Sequence, residues 1–269
     1  MTAKVILAGC GNMGYAMLAG WLKSARLYPG EVVVVEPDAG LRARAADLGA
    51  TVFADAGALP DDLDPVIVIF AVKPQVMREV VPAYRRFAQG AAFVSVAAGT
   101  GISVFEGILG KDAAVIRCMP NTPAAIGKGM MVTVSNANVT PETEEFVGDL
   151  LSASGETARI DSEGLMDAVT AVSGSGPAYV FHFIECLTAA GEKAGLPPQT
   201  AKLLALQTVY GAAALAAESA EEPAVLRKQV TSPNGTTAAA LDVLMGGDRM
   251  KLLLSEAVEA ARRRSVELG

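Results

Sequence analysis

The segment Gly9-Cys10-Gly11-Asn12-Met13-Gly14 constrains this chain more than any other. It follows a short apolar run at residues 4–8 and opens a helical pattern over residues 13–24. A bare G-x-G-x-x-G is a weak signal. Between a strand and a helix, at the start of a βαβ unit, it is a strong one for a dinucleotide. Gly9 permits the tight turn, Gly11 lets a pyrophosphate reach the backbone, and Gly14 lets the helix pack on the strand. The first amides of that helix, from Asn12 and Met13 onward, then face the phosphates. The competing reading is an ordinary glycine-rich βα turn.

The rest of the N-terminal half supports the unit. Val32, Val33, Val34 and Val35 are four consecutive β-branched residues, the mark of a strand buried on both faces in a parallel sheet. Residues 41–48 read as helix, and 66–71 as another fully apolar strand stopped by Lys73-Pro74. The pattern recurs at 92–96, 113–118, 130–134 and 157–160. Alternation of strand and helix predicts a doubly wound α/β sheet. Beyond residue 162 no strand is expected. Helical segments rich in Ala and Leu run over 177–193, 198–219, 236–244 and 248–268, punctuated by Gly195-Leu196-Pro197-Pro198 and Ser232-Pro233-Asn234-Gly235. The predicted domains are therefore 1–161, binding a dinucleotide, and 162–269, all helical.

Composition bounds the partners. A chain of 269 residues has two domains as its natural reading. With 51% hydrophobic and 19% charged residues it is globular. A net charge of −7 argues against a nucleic-acid groove or an anionic membrane surface as partner. The one dense basic run, Arg262-Arg263-Arg264, reads as the favourable cationic last turn of a helix. Three cysteines with no metal or disulfide spacing fit a reducing cytosol, and no metal site is expected. Residues 1–8 lack the features of a signal peptide, and the apolar runs are too short to span a bilayer. The expectation is a cytoplasmic protein. The C-terminal helices carry too few polar faces for a solvated monomer, so they are expected to pack between subunits.

Several residues are candidates for chemistry. Glu36 ends the second strand, 22 residues after Gly14, where a dinucleotide fold places the acid that accepts from the adenine ribose hydroxyls. A carboxylate there repels a 2′-phosphate and favours NADH. A turn carboxylate paired to Arg42 or Arg44 is the alternative, and those arginines could instead accept a 2′-phosphate. Lys73 sits at the carboxyl edge of its strand and could attract phosphate or substrate charge, or simply precede a Pro-started helix. Met119-Pro120-Asn121-Thr122-Pro123 is stiffened by two prolines and suits a wall of a nicotinamide site, or an ordered interdomain connection. Ser173-Gly174-Ser175-Gly176-Pro177 precedes a helix with Pro in its first turn. Its small residues allow a planar ring to come close, and an N-cap without a ligand reads equally from the same pattern. The segment from Val230 to Thr237 leads into another helix, where amides and hydroxyls could hold a carboxylate without an arginine, or only cap the helix. His182, the single histidine, stands between Phe181 and Phe183 and reads as a packed or hydrogen-bonded helix residue. A ketone or alcohol dehydrogenase commonly needs a strong proton donor at the carbonyl. An imine nitrogen can arrive already protonated, so a site of hydroxyls and amides fits imine reduction better.

Taken in order, the glycine loop, Ala71-Val72-Lys73-Pro74, Met119-Pro120-Asn121-Thr122-Pro123, Gly174-Ser175-Gly176-Pro177-Ala178-Tyr179 and Thr231-Ser232-Pro233-Asn234-Gly235-Thr236-Thr237 resemble pyrroline-5-carboxylate reductases over nearly the whole chain. The last segment is the most specific. The resemblance implies an N-terminal Rossmann domain and a helical C-terminal domain that forms a homodimer, in some members assembled further into decamers. It implies NAD(P)H-dependent reduction of L-1-pyrroline-5-carboxylate to L-proline. By the same resemblance Ser232, Gly235, Thr236 and Thr237 hold the substrate carboxylate, with Thr237 nearest the ring nitrogen and Ser232 and Thr237 the catalytic pair. Ser175 and Gly176 line the substrate, Pro120 and Asn121 flank the nicotinamide, and Ala71 and Lys73 border the cofactor. Two departures stand out. Asn234 replaces the first glycine of the family's Pro-Gly-Gly, a change that asparagine's tolerance of left-handed dihedrals accommodates. Many members carry Ser or a basic residue near Glu36 and Asn near Ala56, so Glu36 and Ala56 run against the family's usual NADPH preference. The rivals are a β-hydroxyacid dehydrogenase or other imine reductase, and a non-catalytic dinucleotide-binding protein. The first would place a lysine on the helix after its Ser-Gly segment, and here none comes before Lys193.

Overall fold

A computed structural model describes residues 3–269. Met1 and Thr2, which the signal-peptide reading includes, lie outside the described residues. The chain forms two compact units, Met1–Ser175 with Ala261–Gly269, and Gly176–Ala260. Residues 162–175, on the C-terminal side of the predicted boundary, pack with the first unit.

The first unit is built on one sheet. Its strands are β1 (Val5–Ala8), β2 (Val32–Val35), β3 (Thr51–Phe53), β4 (Ile67–Phe70), β5 (Ala92–Ser95), β6 (Val115–Met119), β7 (Gly129–Ser135) and β8 (Gly155–Arg159). They lie in the order β3-β2-β1-β4-β5-β6-β7-β8. All pairs are parallel except β6 with β7. Connecting helices are α1 (Asn12–Lys23), α2 (Ala39–Asp47), α3 (Met77–Val80), α4 (Ile102–Leu109), α5 (Pro141–Ser152) and α6 (Met166–Val169).

The apolar strands sort into two cores by the period of two that a strand imposes. Ile6, Val33, Val68 and Phe93 face one cluster, with Tyr84 and Phe105. Val5, Leu7, Val34 and Ile69 face the other, with Trp21 and Leu150. Both faces of the sheet are covered, as four buried valines in a row require. Phe70 anchors the first cluster edge-on to Tyr84, ring centroids 5.3 Å apart. In the second, the Trp21 indole donates to the Leu150 carbonyl at 2.9 Å and ties α1 to α5.

Strand order reverses between β1 and β4, so the crevice at a topological switch point opens there. Because β1, β2, β4, β5 and β6 run in one direction, their carboxyl ends form one edge. That edge carries Gly9, Glu36, Ala71, Val96 and Pro120, each the first residue after its strand.

The second unit holds α7 (Gly176–Lys193), α8 (Pro198–Glu218), α9 (Pro223–Gln229) and α10 (Thr236–Met245), with most of α11 (Arg249–Leu268). Helix α9 is an element the sequence pattern passes over. Many large apolar side chains of this unit face outward: Leu203 is 64% exposed, Tyr210 67% and Leu253 66%. No helix among the described residues is long and apolar enough to cross a membrane.

Candidate active site

The glycine loop has the geometry its three glycines predict. Gly9 sits at φ +91°, a left-handed conformation, and a Cβ there would lie 2.7 Å from Val72 Cγ1. A Cβ on Gly14 would collide with the Gly9 carbonyl. Above Gly11 there is nothing within 4 Å. The two outer glycines are thus demanded by the protein itself, and the middle one by whatever comes to the open backbone. Gly11 is the N-cap of α1 and gives no side-chain cap, which leaves the first-turn amides of Asn12, Met13 and Gly14 without an intrahelical acceptor. These features fit a dinucleotide pyrophosphate.

Glu36 is 6% exposed and does more than end β2. Its Oε2 accepts the Cys10 amide at 2.7 Å, and its Oε1 accepts the Asp38 amide at 2.9 Å. The carboxylate is therefore fixed against the glycine loop. The neighbouring arginines are already engaged. Arg42 donates to the Glu36 and Pro37 carbonyls at 2.8 Å, and the Arg44 guanidinium lies 4.1 Å from the Tyr15 ring centroid. Burial, then the Glu36 charge, pushes the Cys10 thiol up to about 11. Cys10 is accordingly a neutral packing residue and not a nucleophile.

Ala71 and Lys73 follow β4, with Ala71 against Gly9 and the Lys73 side chain exposed. Pro120 is buried after β6. Asn121 spends its side chain on the protein: Nδ2 donates to the Ser173 carbonyl at 3.2 Å and to its hydroxyl at 3.3 Å, and Oδ1 accepts the Met130 amide at 2.9 Å. Of the 173–176 segment, read from sequence as a loop before a helix, Ser173 and Gly174 instead close a π-helical turn, Thr170–Gly174, and Ser175 follows it directly. The Ser175 amide reaches the Thr170 carbonyl at 2.8 Å. Gly174 there packs on Met119, so the turn and the Met119-Pro120-Asn121 segment are held together at two points. π turns of this kind recur at functional sites. A cavity of about 410 Å³ is lined by Pro74, Gln75, Ala98, Gly99, Thr170 and Ser175, at the same sheet edge.

The remaining candidates stand in the second unit, where Gly176 begins α7. Ser232 lies in the turn before α10, and Gly235 is the N-cap of that helix without a side-chain cap. Thr236 and Thr237 are its first two residues, so their amides lack intrahelical acceptors. Asn234 adopts φ +57°, a left-handed conformation that asparagine tolerates.

Comparison with known proteins completes the assignment. A family model described as pyrroline-5-carboxylate reductase dimerisation matches residues 163–268, and one described as NADP oxidoreductase coenzyme F420-dependent matches residues 4–99. The pyrroline-5-carboxylate reductase of Pseudomonas aeruginosa is 41% identical over 269 residues, covering 100% of this chain and 97% of that protein. The chain belongs to the pyrroline-5-carboxylate reductase family. The Arabidopsis thaliana reductase is 38% identical, covering 99% of this chain and 95% of its own. Among solved structures, a pyrroline-5-carboxylate reductase from Coxiella burnetii matches with a TM-score of 0.92 at 32% identity, covering 100% and 99% of the two chains. A Plasmodium falciparum pyrroline carboxylate reductase with NADP bound matches with 0.83 at 30% identity, covering 99% and 98%. Like other members of this reductase family, the chain is an NAD(P)-dependent oxidoreductase, with a Rossmann-type sheet and a helical dimerisation domain.

One pair at this edge escapes the motif reading. Arg117 on β6 is 7% exposed and meets Glu163 at 3.1 Å. The signal was a charged residue within the buried strand Val115–Met119, which needs a partner.

Proposed function

We propose that this chain reduces L-1-pyrroline-5-carboxylate to L-proline, the last step of proline synthesis, with NADH preferred over NADPH. The observation that carries the cofactor reading is the Glu36 carboxylate, clamped by two backbone amides beside the open Gly11. A fixed negative charge at this position accepts from ribose hydroxyls and repels a 2′-phosphate. Arg42 and Arg44, which could have offset that repulsion, are turned to backbone carbonyls and to Tyr15.

Gly9, Gly11, Asn12, Met13 and Gly14 hold the pyrophosphate, Ala71 and Lys73 border the cofactor, and Pro120 and Asn121 wall the nicotinamide. Asn121 acts by holding the π turn in place, given its three protein partners. The bound dinucleotide supplies a hydride to the C=N carbon. Ser232, Gly235, Thr236 and Thr237 take the substrate carboxylate on uncapped amides and hydroxyls at the start of α10. Ser175 and Gly176 lie along the substrate ring. Thr237, nearest the ring nitrogen, assists proton delivery, and orientation supplies most of the rate enhancement.

Residues 1–161 serve the cofactor and 162–269 the substrate and the subunit contact. The outward apolar side chains of the second unit support a homodimer, and dimers assembled into a decamer are the further expectation. The working compartment proposed is the cytoplasm.

Loss of nicotinamide absorbance with pyrroline carboxylate, followed with NADH and then NADPH, tests both parts. Turnover with a higher kcat/KM for NADH is expected. No turnover removes the reaction, and a higher kcat/KM for NADPH removes the role given to Glu36. Ser232→Ala with Thr237→Ala should raise the apparent KM for the imine. An unchanged kcat/KM would overturn the carboxylate site.

A further inference from the structure

Helix α4 begins without a cap of its own. Its N-cap is Gly101, which has no side chain to give. The first amide, of Ile102, is taken by Glu163 Oε1 at 2.8 Å, from 61 positions further along the chain. The same oxygen accepts Arg117 Nη1 at 3.1 Å. One carboxylate oxygen thus answers a helix N-terminus and a buried guanidinium together.

Four residues on, Asp167 reaches a different structure. Its Oδ1 accepts the Ser265 hydroxyl at 2.6 Å. Ser265 belongs to the last turns of α11, whose backbone at Leu268 covers Gly99. A Cβ on Gly99 would lie 3.3 Å from the Leu268 carbonyl, and Gly99 itself sits at φ +71°. The connection from β5 to α4, residues 96–101, is therefore gripped at Ile102 by Glu163 and covered at Gly99 by a segment that Asp167 holds. Ala98 and Gly99 are the part of this connection that lines the cavity with Pro74, Gln75 and Ser175.

We propose that Glu163 and Asp167 are positioning residues for the reduction: they fix the β5–α4 connection as a wall against which the reacting rings are aligned. The inference rests on the reading that hydride transfer takes place at this sheet edge. The pyrophosphate and ribose contacts at Gly11 and Glu36 lie at the ends of other strands, so a shift of this wall should slow the reaction while leaving cofactor affinity in place. A displacement of about 1 Å in such a wall can cost up to about a hundredfold in rate.

Glu163→Ala leaves Arg117 buried without a partner, so it is assayed beside Glu163→Ala with Arg117→Met, which removes both charges. Ser265→Ala tests the second grip alone, and Glu163→Gln keeps an acceptor oxygen for Ile102. For the double variant kcat should fall by about tenfold or more, with the Kd for NADH, read by fluorescence titration, within about threefold of wild type. Ser265→Ala should fall less, in the same pattern, and Glu163→Gln should recover most of the loss. Wild-type kcat in both alanine variants, equal losses in Gln and Ala, or a kcat loss that only follows the folded fraction in thermal melts would overturn the proposal. Wild-type turnover of pyrroline carboxylate, measured first, separates that outcome from failure of the functional reading itself.

Discussion

The carboxylate of Glu36 holds the backbone amide of Cys10 at 2.7 Å, so the residue proposed to meet the adenine ribose also sets the shape of the glycine loop. Removing it should therefore have two separable effects. Glu36→Ser is expected to raise KM for NADH and lower KM for NADPH. Loss of the two charge-assisted amide bonds should also cost about 1–3 kcal/mol in urea unfolding. A variant that keeps its NADH preference would show that the discrimination lies elsewhere.

Gly11 and Gly14 should fail differently when replaced by alanine. Nothing lies within 4 Å of a Cβ at Gly11, so Gly11→Ala is expected to fold with wild-type Tm and to bind NADH at least about tenfold more weakly. A Cβ at Gly14 meets the Gly9 carbonyl and lies 3.2 Å from Ala71 Cβ. Gly14→Ala should lower Tm before binding is considered. Melting curves with and without NADH distinguish the two.

Asn121 joins β7 to the π turn through three hydrogen bonds. Asn121→Ala should destabilise the protein by about 1–3 kcal/mol, since it strands the partly buried Met130 amide. It should also lower kcat, because Ser173 and Gly174 lose their tether. Unchanged kcat in the folded variant would confine Asn121 to stability.

Cys118, pushed up to about 12 by burial, and Cys10, pushed up to about 11, keep their protons in the folded chain well above the usual thiol value of 9.0. In the unfolded chain they lose them nearer 9.0. A group whose folded value is raised contributes stability that is fully present below the unfolded value and is lost as pH rises through the folded one. Stability should thus decline between about pH 9 and 12, and Cys118→Ala should flatten that limb. Cys186 is the exposed thiol, so at neutral pH a thiol reagent should find at most one of the three cysteines until the chain is unfolded.

Much of this molecule is legible in its sequence because the decisive residues obey local rules. Four valines in a row cannot be half solvated, and a glycine pattern between strand and helix has few other uses. Asn234 was readable as a left-handed position from the resemblance, which puts glycine there, and from asparagine's tolerance of such dihedrals; its φ is +57°. What escaped reading depends on distance along the chain. Strand β3, three residues of moderate burial, has no pattern long enough to register. The Thr170–Gly174 turn looks like a loop because Ser and Gly favour loops, and only the Asn121 and Met119 contacts show why it stays helical. No local rule pairs Arg117 with Glu163, which stand 46 positions apart.

The apolar side chains that α8 and α11 turn outward carry one more consequence. If their burial comes only when chains meet, part of the free energy of folding is bimolecular, and Tm becomes a function of how much protein is in the tube. Dilution would then act on this enzyme as a mild denaturant. A reductase of this build would lose activity at low expression with every catalytic group still in place.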